Sequence, residues 1–280
     1  MSTGAPKIDR AEVRRGLAVG DCDFYHTVDV PGHGVVAGQW DLRGAEAAYL
    51  GGIALQGRSV LEIGPATGHL GFWMERQGAR LTVLDLGPDN AWDLVPVAGV
   101  DLEALLAERR EHLRRLQNGW WLLHERLGSQ AAALRGTVYD LGPDVGQFDV
   151  VTLNAVLLHL RDPMGALIKA ASVCRQTLVV SEIHESFFAD DAGTPVEARL
   201  GARIRRLLGL RPPVENRPRM AAPFIPRTDG SAGLDAWFYL PSAMVAEMMR
   251  ILGFEVTVTE HVQNFQGRPY RMYTAVGERG

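Results

Sequence analysis

Three acids and two glycines hold the chemistry that can be read first. In "VLEIGPATGHLGFWMERQGARLTVLDL", residues 60–86, Glu62 stands two residues before Gly64, and Gly68 closes the turn. Gly64 permits a tight bend, and Gly68 lets a ligand or a neighbouring segment come close. A helix that starts there offers free N–H groups and the positive end of its dipole, which suits a carboxylate or a phosphate. A pyrophosphate cradle needs a middle glycine. Here the middle position is Ala66, after Pro65, and the carboxylate of Glu62 would repel a pyrophosphate. The same carboxylate attracts an ammonium or a sulfonium. The turn therefore fits a ligand with a cationic part and no phosphate.

Asp85 ends the next apolar run, about 20 residues on, where an acid can accept both hydroxyls of a ribose. Asp140, in "TVYDLG", is expected to close a third strand, where it could accept from an adenine amino group. Asn154 ends "FDVVTLN", at the sheet edge where open α/β folds bind their ligands. Proton-moving groups near that edge are His159, Glu182, His184 and Glu185, with His26 reaching in from the N-terminal segment. Phe24, Tyr25 and Trp40 could cover the ligand or form a small separate core. Trp237 and Tyr239 could wall a pocket for a second molecule or serve the core. No Cys-x-x-Cys is present, so no metal site is expected.

These residues need a scaffold. Arg58 to Ile63, Arg80 to Asp85, Leu134 to Val138, Phe148 to Leu153 and Thr177 to Ser181 read as buried strands. Gly68 to Gln77 reads as a helix between the first two. Leu102 to Leu127 carries apolar residues at helical spacing and is closed by Gly128, and Trp120 and Trp121 continue its stripe. Strands alternating with helices predict a mostly parallel sheet covered on both faces. "LPSAMVAEMMRILGF" reads as a late helix with Met244, Met248 and Ile251 on one face, followed by two β-like runs, Phe254 to Thr259 and Arg271 to Val276, that pair antiparallel. Residues 1–44 read as an N-terminal arm or lid, whose first 20 residues are mobile or helical. Residues 45–186 read as the α/β core, 187–236 as an inserted cap, and 237–280 as the C-terminal elements completing the core. The cap holds six prolines and the arginines 203, 205, 206, 211, 217 and 219.

The 280 residues are 46% hydrophobic and 22% charged, with a net charge of -4 and two cysteines. This is the composition of a soluble domain of the reducing cytoplasm, and no apolar run reaches membrane-spanning length. Lys7 and Lys169 are the only lysines, and no broad basic face is expected, so nucleic acid is not the expected partner.

With Glu62, Gly64, Gly68, Asp85, Asp140 and Asn154 together, the segment from Arg58 to Ser181 resembles the core of class I S-adenosylmethionine-dependent methyltransferases. The resemblance implies a Rossmann-like seven-stranded, mostly parallel sheet with an antiparallel last strand. It implies S-adenosyl-L-methionine as cofactor. Glu62, Gly64, Pro65, Ala66 and Gly68 would hold the methionine part, Asp85 and Leu86 the ribose, and Tyr139, Asp140 and Leu141 the adenine. Asn154 and Ala155 would lie near the sulfonium. "FYHTVDVPGHGVVAGQWDLRG", "GFWMERQGA", "LLHLRDP" and "WFYLPSAMVAEMMRILGF" further resemble the group that includes the tRNA wobble-uridine carboxymethyltransferases and their small-molecule-acting relatives. The expected activity is methyl transfer to an O or N atom of a small molecule in natural-product biosynthesis, with His159, His184 and Glu182 as candidate catalytic groups. Tyr25, His26, Trp40, Trp237 and Tyr239 are the candidate acceptor contacts, and the N-terminal arm is a candidate dimer contact. The alternatives are a tRNA-modifying alkyl transferase and a protein that binds the nucleoside without turnover.

Overall fold

The computed structural model of the chain describes residues 8–90, 92–184, 221–227 and 234–280. In chain order the strands are β1 (Asp9–Arg10), β2 (Val28–Val30), β3 (Gly34–Val36), β4 (Trp40–Asp41), β5 (Ser59–Ile63), β6 (Arg80–Asp85), β7 (Ala132–Arg135), β8 (Phe148–Asn154), β9 (Cys174–Ile183), β10 (Glu255–Phe265) and β11 (Arg268–Glu278). The helices are α1 (Glu46–Tyr49), α2 (His69–Arg76), α3 (Leu102–Leu127), α4 (Pro163–Ser172) and α5 (Ser242–Ile251).

The central sheet has the order β1-β7-β6-β5-β8-β9-β11-β10-β4. Strands β5 to β9 are mutually parallel, and β11 runs antiparallel to both β9 and β10. The chain builds outward from β5 through β6 to β7, then returns to place β8 on the other side of β5. The loops after β5 and β8 therefore diverge, and the crevice between them is where such sheets take a ligand. The expected mostly parallel sheet with its antiparallel last strand is present. Two short strands of the N-terminal segment, β1 and β4, extend it at both edges.

Strands β5, β8 and β9 are buried along most of their length because helices cover both their faces. On one face Val60, Leu70, Phe72, Met74, Trp120 and Trp121 pack with Val28, Val30 and Leu42 of the N-terminal segment. On the other, Leu61, Leu153, Leu167, Val245, Met249 and Tyr273 form the second half of the core. The N-terminal segment is also tied to α3 by polar contacts. Arg14 donates to Asn118, and Arg115 to Asp23.

Several elements differ from expectation. The third strand ends at Arg135, because Gly136 turns the chain, and Asp140 sits in the short turn Val138–Asp140. On α5 the buried face is Val245, Ala246 and Met249, while Ile251 is 69% exposed. The Met244–Met248–Ile251 stripe follows helical spacing too, but the sheet takes the neighbouring face. Only the second half of α3 is buried, from Leu113 onward, and Leu102 is exposed. The terminal hairpin is longer than its apolar runs because Gln266 and Gly267, both with positive φ, form a two-residue turn that matches strand twist. In the described part of the arm, Asp9–Arg10 is a strand paired with β7. Most of the expected cap, with the arginines 203, 205, 206, 211, 217 and 219, lies outside the described residues, as does Glu185. Among the described residues no helix is long and apolar enough to cross a membrane.

Candidate active site

The turn after β5 is built by backbone shape. Gly64 has φ +71° and Gly68 has φ +85°. A Cβ at Gly64 would lie 2.9 Å from Val156 Cγ2, and one at Gly68 would lie 2.5 Å from Phe72 and 2.6 Å from Trp120. Neither position has room for a side chain. Ala66, between them, also takes the left-handed conformation, at φ +48°. It keeps the backbone shape of the glycine it replaces, at a cost on the order of 1–2 kcal/mol. Ala155, just past β8, does the same at φ +53°. Two strained alanines thus flank the crevice, one on each diverging loop, as is usual where a loop is shaped for a ligand.

Polar atoms without partners collect at this place. Glu62 is 2% exposed and its Oε2 has no hydrogen-bond partner. The carboxylate lies against α2, where any side chain at Gly71 would strike it. Burial pushes its carboxyl up to about 8, against the pull of the nearby Asn154 amide and with a smaller push from Asp85. Asn154 comes near, yet neither its Oδ1 nor its Nδ2 reaches hydrogen-bonding geometry with any group. Thr67 Oγ1 is likewise buried and unpartnered. Buried polar atoms in native folds are nearly always paired, so a cluster of exceptions points to a missing ligand. A carboxylate, an amide and a hydroxyl around an acidic cleft suit an ammonium and a carboxylate on one flexible tail.

Asp85 is placed more firmly. Its Oδ1 accepts from Leu86 N at 2.8 Å and its Oδ2 from Gln117 Nε2 at 3.2 Å, while Gln117 also donates to Leu86 O at 2.8 Å. Burial pushes its carboxyl up, and these donors together with Arg135 oppose the shift. Asp85 and Pro65 line one cleft with Gln117, Trp120, Trp121 and Arg135, about 310 Å³ including its open mouth. Ala11 of the N-terminal segment closes one side.

The adenine-side candidates stand differently. Leu141 is fully buried in the core. The Asp140 carboxylate accepts from Thr137 Oγ1 at 2.5 Å. The Tyr139 hydroxyl donates to Asp93 Oδ2 at 3.1 Å, and burial pushes it up to about 12.

The candidate proton-moving groups are engaged with the protein. Glu182 Oε1 accepts from Leu157 N at 2.8 Å, and the N–H groups of Leu158 and Val156 also face the carboxylate. Burial still pushes it up to about 8. It thereby holds the loop after β8. His184 donates its backbone N–H to Arg271 O, and its ring Nε2 lies 3.2 Å from Glu260 Oε1, toward the terminal hairpin. His159 Nδ1 meets the backbone oxygen of Asp235. That contact ties the segment 234–240 to the rim, as do Trp237 N to Leu158 O at 2.8 Å and the Trp237 indole to Asp93 O. Tyr239 N bonds Pro223 O at 3.0 Å.

On the N-terminal side, the Tyr25 hydroxyl accepts from Trp40 Nε1 at 3.1 Å, and Trp40 packs on Phe265 and Tyr270 at the sheet edge. His26 is buried beside the glycine turn, its ring 5.7 Å from that of His69. Sequence reasoning missed Gln117, Thr67 and His69. Gln117 lies on α3 among charged neighbours, and helical spacing alone does not say which polar residue turns toward Asp85. Thr67 and His69 lie in or next to the quoted motif, whose glycines drew the attention.

None of the curated proteins is a significant match in sequence. Among solved structures, the chain is similar to the N-terminal domain of EvdMO1, crystallised in the presence of S-adenosylhomocysteine and D-fucose, with 18% identity, 91% of this chain and 90% of that one covered, and a TM-score of 0.52. It is also similar to a putative S-adenosylmethionine-dependent methyltransferase from Listeria monocytogenes, with 14% identity, 84% and 98% covered, and a TM-score of 0.51. At such identities the likeness speaks for the fold alone. The family model described as "Methyltransferase domain" matches residues 42–221, more than half of the sequence, including Glu62, Gly64, Gly68, Asp85 and Asn154, and the chain belongs to that family.

Proposed function

We propose that the chain is an S-adenosylmethionine-dependent methyltransferase that acts on an O or N atom of a small molecule in natural-product biosynthesis. The observation that carries the reading is the group of unpartnered buried polar atoms on Glu62, Thr67 and Asn154, set around two glycines that have no room for a side chain. Glu62 and Asn154 would face the ammonium and sulfonium side of the cofactor, and the Gly64–Gly68 backbone its methionine tail. Asp85, aligned by Leu86 and Gln117, would take the ribose hydroxyls. The turn at Tyr139 to Leu141 would border the adenine. Bound there, S-adenosylmethionine supplies an already activated methyl group. The protein's remaining work is to hold the acceptor in line and exclude water.

Tyr25, Trp40, Trp237 and Tyr239 would wall the acceptor from two sides. Glu182, His159 and His184 would act as positioning residues, because each is spent on a protein contact that fixes the loop after β8 or the segment above it. The EvdMO1 domain, crystallised in the presence of S-adenosylhomocysteine and D-fucose, supports this reading. Within the family we place the chain beside the small-molecule-acting relatives of the tRNA wobble-uridine enzymes, in the cytoplasm, on its sequence resemblance and its having only two lysines.

The test is incubation with methyl-labelled S-adenosylmethionine and a small-molecule extract, followed by mass identification of the product. A labelled low-mass product one methyl heavier than its precursor is expected. Label in added tRNA and none in small molecules would overturn the substrate class.

A further inference from the structure

Trp120 keeps a buried hydrogen-bond donor that the protein does not use. The residue sits in the buried half of α3 at 3% exposure, and its indole Nε1 has no hydrogen-bond partner. Packing fixes the ring. Phe72, Trp121 and His124 surround it, with ring centroids 5.3, 4.7 and 5.0 Å away. A phenylalanine would fill much of the same space with no N–H to take out of water. An indole N–H is a donor only, so it calls for an acceptor. Leaving it unmet costs stability, and such exceptions are rare in native folds.

Two contacts set the place of this donor. A Cβ at Gly68 would lie 2.6 Å from Trp120 Cδ1, the ring carbon bonded to Nε1. The pyrrole edge of the indole therefore abuts the glycine turn. Trp120 also lines the cleft that holds Pro65, Asp85 and Gln117. Gly119, the residue before it, lets Thr67 come close: a Cβ there would lie 3.0 Å from Thr67 Cγ2. Thr67, whose buried hydroxyl also lacks a partner, thus belongs to the same meeting of the turn with α3.

The turn adds donors of its own. Gly68 caps α2 without a side chain, and the first turn of the helix holds no acid. The free N–H groups and the dipole there favour an anion. Glu62 stands on another side of the helix. Its carboxylate lies where a Cβ at Gly71 would be, whereas Trp120 packs on Gly68 and Phe72. Successive helical residues point about 100° apart, so the acid and the indole flank the start of α2 on different sides. Such a pair sorts the two charges of an amino-acid tail. The ammonium goes to the acid, and the carboxylate goes to the donors away from it.

We propose that the Trp120 indole donates to the carboxylate of the cofactor's methionine tail at the start of α2, and that the site thereby selects ligands that carry this carboxylate. The inference rests on the S-adenosylmethionine reading above. Trp120 is then a binding residue for the tail. Fixing the carboxylate end limits where the sulfonium can lie in the crevice, so the same hydrogen bond helps to aim the methyl group.

The experiment titrates the full chain with three nucleosides in a calorimeter. S-adenosylhomocysteine carries the whole tail, its decarboxylated amine keeps the ammonium without the carboxylate, and 5′-methylthioadenosine has neither. Trp120→Phe keeps a ring in the same packing and removes the donor. It should weaken S-adenosylhomocysteine at least about tenfold, while the other two ligands change by less than about threefold. In the wild type, an indole N–H signal in nitrogen-edited NMR should move downfield with S-adenosylhomocysteine and stay in place with the amine. That measurement needs no variant. An equal loss for all three ligands in Trp120→Phe would put the indole at the nucleoside and overturn the assignment. So would unchanged S-adenosylhomocysteine affinity, a loss shared by the amine, or the absence of any such indole signal. If the wild type binds none of the three, the S-adenosylmethionine reading itself fails.

Discussion

The two rims of the crevice use the same kinds of residue in opposite ways. On the rim formed by the ends of β5 and β8, Glu62, Thr67 and Asn154 keep polar atoms buried and unpartnered. On the rim formed by the end of β9, Glu182 and His184 are equally buried, yet each meets a protein partner: Leu157 N–H for the first, Glu260 for the second. Glu62 and Glu182 make the contrast sharp. Both are glutamates at strand ends, both 2% exposed, and burial pushes both up to about 8. On the proposed reading, burial and an altered pKa therefore do not separate a ligand-facing acid from a structural one. The presence or absence of a protein donor does.

The contrast can be broken by substitution. The largest effect is expected from Gly68→Val, whose side chain would meet Phe72 and Trp120 and whose φ is positive. S-adenosylmethionine affinity should fall beyond about a hundredfold while circular dichroism shows a folded core; near-normal binding would detach the turn from the ligand. Glu182→Ala comes next, and on the other rim. It strands buried N–H groups, so urea unfolding should show a loss of about 1–3 kcal/mol, with cofactor affinity changed much less. A protein of unchanged stability that loses turnover would instead make Glu182 a catalytic group. Asp85→Ala should weaken S-adenosylmethionine by about 1–3 kcal/mol in calorimetry, from lost hydrogen bonds to a charge, with little change in unfolding. The smallest effect belongs to Arg161→Ala, which removes an ion pair between exposed Arg161 and Asp93 and should change stability by no more than about 1 kcal/mol.

Acidity sharpens the same comparison. Both glutamates hold a proton in the fold up to about pH 8 but only to about 4.5 when unfolded. The folded state therefore binds the extra protons between those limits, and stability falls as pH rises through that window. Only Glu62 should couple this to ligand, because a sulfonium and an ammonium favour its ionised form. At pH 7, S-adenosylmethionine binding should release protons, read from calorimetry in buffers of different ionisation enthalpy. Glu62→Gln should remove that release and Glu182→Gln should not. Equal release in both variants would put the two rims on the same footing.

Much of this was legible in the sequence, for physical reasons that differ by element. The strands at β5, β6 and β8 stood out because burial on both faces clusters apolar residues in them. The crevice followed from Glu62, Gly64, Gly68 and Asp85, since backbone shape and charge sign act locally. Ala66 was legible as a missing glycine, but not as an alanine that still adopts the glycine's conformation. The face of α5 was misread because helical spacing permits two adjacent stripes, and only packing on β10 and β11 chooses between them. Asp140 moved from a strand to a turn because Gly136 ends the strand early. The pairing of His26 with His69 could not be read at all. It joins two segments brought together only by the way the N-terminal arm folds over α2.

On the proposed reading, this crevice binds a sulfonium nucleoside and not a dinucleotide. Titration calorimetry of the full chain with S-adenosylmethionine and, separately, with NAD tests it most directly. One S-adenosylmethionine per chain, with binding lost in Gly68→Val and no heat from NAD, is the predicted result. Saturable binding of NAD with none of S-adenosylmethionine would contradict it.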